Sequence, residues 1–330
     1  MNWKLIKYRF TILLLSLVAM SYSCNPSNKL RFQLLDRNII NLVPSASGIE
    51  KIGEVYYLIG DNSPWLFQMS NSSTILKKHL LTRDDELVDG VIPKSKKHDL
   101  EAMCALKWND KTALFLFGSG SKWPTRNKGI CIFTNENHQI KTYDLSVFYL
   151  QLMDEAKIDE EELNIEAAAT LGAKIYLFNR GKNKLISFKI EDFISFLENK
   201  KEKLKIKSSS VDLPEINGIT AGFSGATADE NNKRLIFTCS VENTSDWVND
   251  GEVLGSFIGY IDENEIHKHI QPEVILITEE KEPILLKVES LAIDSQNDQD
   301  YFLSLVTDSD GGMSEWLNVR IFKKNFQHHP

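Results

Sequence analysis

Paired cysteines, placeable histidines and positive charge are what this sequence has least of, and each shortage closes off a class of function. Cys24, Cys104, Cys131 and Cys239 form no C-x-x-C pair, and none has a histidine at ligand spacing. A zinc site and a disulfide framework are thereby set aside. Cys104, Cys131 and Cys239 read as buried thiols inside strands, since an unpaired thiol behaves as a small hydrophobe. The 38 basic side chains fall short of the 46 acidic ones, a formal charge of -8. Removing an N-terminal segment that carries Lys4, Lys7 and Arg9 takes this to -11, the wrong sign for binding nucleic acid. Of the seven histidines, His267 and His269 fall on a loop or edge and His328-His329 in a tail, so no serine-histidine-aspartate arrangement can be placed. His98 precedes Asp99-Leu100-Glu101 and reads either as a solvated loop residue or as a general base.

What is present starts at the N-terminus. Three cations are followed by the apolar run Phe10 to Met20 and by Ser21-Tyr22-Ser23-Cys24. The run falls short of the roughly 20 apolar residues that a span requires, and the pattern is that of a signal peptide, residues 1–23. Cys24 resembles the acylated cysteine of a bacterial lipobox, although Ser21 and Tyr22 depart from its usual residues. The expectation is a lipid anchor at Cys24, a linker over 24–29, and a cell-envelope location, periplasmic or at the outer membrane, with the membrane as a partner. No later segment is apolar and long enough to span.

The remaining residues 30–330 repeat one pattern five times: a small or acidic pair leading into apolar residues, a polar turn, then an aromatic-aliphatic strand and another strand. The copies open at Ser47-Gly48-Ile49, Leu100-Glu101-Ala102, Ile165-Glu166-Ala167, Ser224-Gly225-Ala226 and Val288-Glu289-Ser290, with middle residues spaced 53, 65, 59 and 64 apart. Second strands such as Ala113-Leu114-Phe115-Leu116-Phe117 have the composition of strands buried between neighbours. Short sheets repeated in this way predict an all-β chain forming a single β-propeller, five blades preferred and six as the alternative. The last copy lacks a fourth strand, and Leu30 to Leu35 reads as a strand without a blade. The N-terminal strand is therefore expected to complete the last blade. Helical spacing over Leu145 to Leu163 and Ile190 to Leu204 predicts two helical insertions.

Inner-strand openings at equivalent places converge on the propeller axis, which would gather Glu101, Glu166 and Glu289 in one funnel. Converging carboxylates need a positive partner. Arg180 or a divalent cation, Ca2+ by its preference for oxygen ligands, are the candidates, with Glu101, Glu166 and Glu289 as ion ligands. Ser119, Glu242 and Asp308, at or near the ends of second strands, should border the funnel. Braces between blades are the purely structural alternative for these carboxylates.

Taken together, Asp99-Leu100-Glu101-Ala102, Gly118-Ser119-Gly120-Ser121, Asn179-Arg180-Gly181, Gly222-Phe223-Ser224-Gly225, Lys287-Val288-Glu289 and Thr307-Asp308-Ser309-Asp310 resemble an uncharacterised bacterial β-propeller family. More loosely, the set is similar to phytase-like and esterase-like propellers. That resemblance implies an acidic mouth and, by the looser analogy, calcium-assisted hydrolysis of phosphate or ester bonds. Two functions compete. In a hydrolase, a cation on the three glutamates would activate water while Arg180 holds an anionic group. In a binding propeller, mouth loops including Ser245-Asp246-Trp247-Val248 and Met313-Ser314-Glu315-Trp316 would hold a small anionic ligand, a glycan or an envelope protein.

Overall fold

A computed structural model describes residues 30–60, 63–72, 74–81, 87, 92–93, 96–134, 139–244, 251–308 and 313–323. The signal segment, Cys24 and its linker lie outside the described residues, as do Asp61-Asn62, Ser245 to Asp250 and Ser309 to Gly312.

Five antiparallel sheets of at least four strands succeed one another along the chain. Blade 1 opens with Ala46–Ile52, blade 2 with Leu100–Trp108, blade 3 with Ile165–Leu171, blade 4 with Gly222–Asp229 and blade 5 with Lys287–Gln296. Each second strand is buried along its length, as in Lys174–Asn179 and Arg234–Asn243, because both faces pack on neighbouring blades. The resulting apolar clusters lie in the seams. Phe178, Phe223 and Phe237 fill the seam of blades 3 and 4, and Leu291, Leu303 and Leu305 pack with Ile236 and Ile258 between blades 4 and 5.

The ring closes as the orphan strand requires. Arg31–Pro44 runs antiparallel to Met313–Phe322, from Arg31 opposite Phe322 to Pro44 opposite Met313, and forms the outer strand of blade 5. Blade 5 thus joins the two ends of the described chain. Blade 3 carries one strand that no local pattern announces: His269–Ile270, arriving after the third strand of blade 4, adds in parallel beside Lys207–Val211.

The two helical insertions are shorter than their sequence patterns. Ser146–Ala156 ends at Lys157, which takes the left-handed conformation, and only a single 3-10 turn, Glu160–Glu162, follows. Ile190–Leu197 stops before the Lys200-Lys201-Glu202-Lys203 run. Both cover the seam of blades 2 and 3, where Phe148 and Phe193 meet with ring centroids 5.2 Å apart. Among the described residues no helix is long and apolar enough to cross a membrane.

Candidate functional site

One irregularity recurs at the same place in every blade. The pairing of first and second strands slips by one residue at Ser47, Glu101, Glu166, Ser224 and Glu289. Such a β-bulge leaves its residue out of the ladder and re-aims its side chain. The five bulges are spaced 54, 65, 58 and 65 residues apart, which corrects the sequence alignment by one position in two blades. Ser47 and Ser224, not Gly48 and Gly225, are the counterparts of the three glutamates. Gly225 is needed for a different reason: a Cβ there would fall 2.6 Å from the Cα of Ser290 in blade 5. The bulged serines bridge blades instead, Ser47 Oγ donating to the Leu100 carbonyl at 3.0 Å and Ser224 Oγ to the Val288 carbonyl at 2.6 Å.

Glu101, Glu166 and Glu289 are each within electrostatic reach of another of the three. Arg180 follows the second strand of blade 3, with its stem over Gly222, where a Cβ would come 2.6 Å from its Cγ. Its Nη2 donates to Glu242 Oε1 at 2.5 Å. Lys287, two residues before the Glu289 bulge, reaches Glu289 at 2.9 Å and Glu242 at 3.6 Å. Asp99, two residues before the Glu101 bulge, is held by Lys97 at 2.9 Å and Arg126 at 2.5 Å. Ser119 is fully buried and donates to Asp99, and its Oγ lies 2.9 Å from Ser121 Oγ, so it locks a loop rather than facing a ligand. Asp308 ends its strand and acts on Glu289 through its charge.

Sequence reasoning missed Lys97, Asp99, Arg126 and Lys287 as parts of this site. The signal was available for two of them, because Asp99 and Lys287 occupy the same offset from a bulged glutamate. Asn164 has that offset too, and its Nδ2 donates to Glu166 Oε1 at 2.6 Å, orienting that carboxyl.

The ion pairs divide the carboxyls into two groups. Burial opposes ionisation of Asp99 and Glu242, yet Lys97 with Arg126 and Arg180 with Lys287 overcome it and hold both below the usual carboxylate range. At Glu101, burial and the charges of Asp99 and Glu166 push the carboxyl well above that range. Burial likewise raises Glu166 against the pull of Arg180 and Lys287, and carries Glu289 to about 8 against Lys287. These three therefore keep their protons to higher pH than the first two. Two groups are left without partners. The Glu101 carboxyl makes no hydrogen bond to a described residue, and Arg180 is only 6% exposed while its Nη1 has no acceptor among the described residues.

Among the described residues no three carboxylate, imidazole or thiol groups stand in a cluster that could hold a metal ion. Trp316, expected in a mouth loop, lies inside the strand Met313–Phe322 and is buried, its indole donating to Ser304 Oγ at 2.9 Å. The partly exposed tryptophan of the loop that follows Ser119 is Trp123.

Five blades closed by an N-terminal strand, with a polar site at one end of the axis, define the class as a five-bladed β-propeller. The chain belongs to a family described as a family of unknown function, DUF6929, whose profile matches residues 42–321. No curated protein matches it in sequence. Among solved structures it is similar to the glutaminyl cyclase of Myxococcus xanthus, at 8% identity and a TM-score of 0.50, over 89% of this chain and 97% of that one. It also matches a GH43 protein from Bacillus licheniformis (10% identity, 86% and 54% of the two chains, TM-score 0.42). A third match is the PQQ-bound aldose sugar dehydrogenase of Streptomyces coelicolor (12%, 90% and 99%, 0.38). At such identities the likeness to the cyclase concerns the fold alone, and the two weaker ones carry no argument.

Proposed function

We propose that this chain is an exported, lipid-anchored propeller whose axial funnel binds a small ligand on Arg180, with Glu101, Glu166 and Glu289 as proton-bearing partners. The observation that carries this reading is Arg180 Nη1, a buried donor without an acceptor among the described residues, beside carboxyls whose hold on their protons burial strengthens. A buried, unpaired polar group is costly, about 1–3 kcal/mol, unless something fills the vacancy. An acceptor oxygen on a ligand does so. In a hydrolytic version, water adds to the ester or phosphoryl centre and gives its proton to solvent, Glu101 gives its proton to the leaving oxygen as that bond breaks, and Arg180 holds the developing anion. A non-catalytic binding propeller uses the same contacts without turnover. A Ca2+ ion here would need Glu101, Glu166 and Glu289 to lose their protons and draw together, or water and ligand oxygens to complete its shell.

Thermal unfolding in the presence of sulfate, acetate or Ca2+ tests the site, since a ligand that binds only the folded chain stabilises it by about 2.7 kcal/mol at a hundred times its Kd. Sulfate or acetate should raise Tm, and Arg180→Gln should lose the effect. If no probe shifts Tm, the funnel is not a ligand site. Membrane fractionation tests the anchor. The wild type should sediment with membranes and Cys24→Ser should not; identical soluble behaviour of the two would refute lipidation.

A further inference from the structure

The balance of charge around the funnel decides what can enter it. Blade 2 presents Lys97, Asp99, Glu101 and Arg126, blade 3 Glu166 and Arg180, blade 4 Glu242, and blade 5 Lys287, Glu289 and Asp308. Blade 1 offers Ser45 and Ser47 at its inner opening, both uncharged. Six carboxyls thus face four cations, and each cation is already engaged with a carboxylate. Among the described residues one nitrogen of Arg180 finds no acceptor, and Glu242, Glu166 and Glu289 are the carboxyls whose charge its guanidinium feels.

An anion that seats on this nitrogen meets carboxylates that outnumber the cations as soon as Glu101, Glu166 and Glu289 lose their protons. Like charges at such range in a poorly solvated site repel strongly. No further cation is at hand among the described residues of the funnel, so the remaining compensation is a proton on one of the carboxyls. We propose that the funnel takes up a small oxyanion, a carboxylate or a tetrahedral phosphate-like group, together with one proton held by Glu101, Glu166 and Glu289.

This rests on the ligand-binding reading above and deepens it by naming the ligand's charge and what accompanies it. The proton comes from solvent, and no bond of the ligand is made or broken. Glu101 is the first candidate to hold it, because its carboxyl makes no hydrogen bond to a described residue. Glu166 is fixed by Asn164, and Glu289 by Lys287. Glu289, carried to about 8, places the exchange above neutrality, and burial shifts Glu101 and Glu166 in the same direction. Cation binding has the opposite sign, since a metal ion would expel the same protons.

Calorimetric titration with sulfate and, separately, acetate tests the proposal, because neither ion titrates between pH 7 and 9. Run at pH 8.5 in buffers of different ionisation enthalpy, it should show uptake approaching one proton per anion bound. Affinity should be flat below about pH 8 and fall about tenfold per unit above it, the slope of one linked proton. The comparison of sulfate with acetate tells which oxyanion geometry fits. Glu101→Gln/Glu166→Gln/Glu289→Gln should fold, bind the preferred anion and lose the pH dependence. Anion binding without proton uptake overturns the proposal but leaves the ligand site standing. Ca2+ binding with proton release, and no anion binding, overturns it in favour of a cation site, and no binding by any probe sinks both.

Discussion

The two ends of the propeller axis are built from the same residue types and use them in opposite ways. At the end away from the funnel, carboxylates meet tyrosines across the seams. Tyr56 of blade 1 donates to Asp294 of blade 5 at 2.6 Å, and Tyr301 of blade 5 donates to Asp229 of blade 4 at 2.6 Å. Asp294 also accepts from Ser304, while Asp229 accepts from Asn232 and Gln296. The carboxylates of Asp294 and Asp229 are thus each held on both oxygens. At the funnel end the bulges push glutamates off the ladder, and among the described residues Arg180 Nη1 finds no acceptor and the Glu101 carboxyl no hydrogen bond. Carboxylates that brace a fold are satisfied by the fold; those left wanting are the mark of a site awaiting a ligand.

The comparison is broken most forcefully at Arg180. Arg180→Met leaves Glu242 in the interior with only the more distant Lys287 and should cost up to about 3–5 kcal/mol of stability, whereas Arg180→Met/Glu242→Met should recover most of it. Denaturant unfolding measures both. The double variant should be stable yet indifferent to sulfate and acetate, which a merely structural ion pair would not explain. A smaller loss is expected at the braced end. Asp294→Ala leaves the Tyr56 and Ser304 hydroxyls without their acceptor, and should cost about 2–3 kcal/mol with and without ligand. If it also abolishes anion-dependent stabilisation, the two ends are not independent.

Glu50 sharpens the contrast through pH. It lies in the seam of blades 1 and 2, accepts from the Ala105 amide, and burial pushes its carboxyl up to about 8. The folded chain therefore holds a proton that the unfolded chain, titrating near 4.3, has released. Stability must fall as pH rises from about 4.3 to about 8, and that contribution is gone above the folded value. Glu50→Gln should flatten this part of the profile, raising Tm at pH 9 and leaving it nearly unchanged at pH 4. A parallel profile in the variant would place the proton elsewhere. The smallest effect is expected at Trp123, partly exposed in the loop after Ser119: Trp123→Ala should stay within about 0.5 kcal/mol of wild type.

Much of this architecture is legible in the sequence because each blade repeats it. Five copies of one strand pattern expose a period that a single strand conceals, and a surplus strand at one terminus with a missing one at the other implies closure. The bulges were not legible. A bulge is defined by what lies opposite, and Ser47 differs from Gly48 only in that Ala46 pairs with Gly60 while Gly48 pairs with Ile59. The same one-residue ambiguity moved Ser224 to Gly225. Lys97 and Arg126 escaped notice because they reach the site from loops flanking Glu101, where no periodicity operates. Likewise, nothing local announces His269–Ile270 as an outer strand of blade 3, since its partner lies an entire blade away in sequence.

The central claim is that the free nitrogen of Arg180 is a ligand's binding point, and a crystal soaked in selenate tests it most directly through the anomalous signal of selenium. The account predicts one strong peak in the axial funnel, with a selenate oxygen at about 3 Å, hydrogen-bond distance, from Arg180 Nη1 and Glu101 alongside. A funnel left empty while selenate binds elsewhere, or a metal ion bridging Glu101, Glu166 and Glu289 with Arg180 turned away, would contradict it.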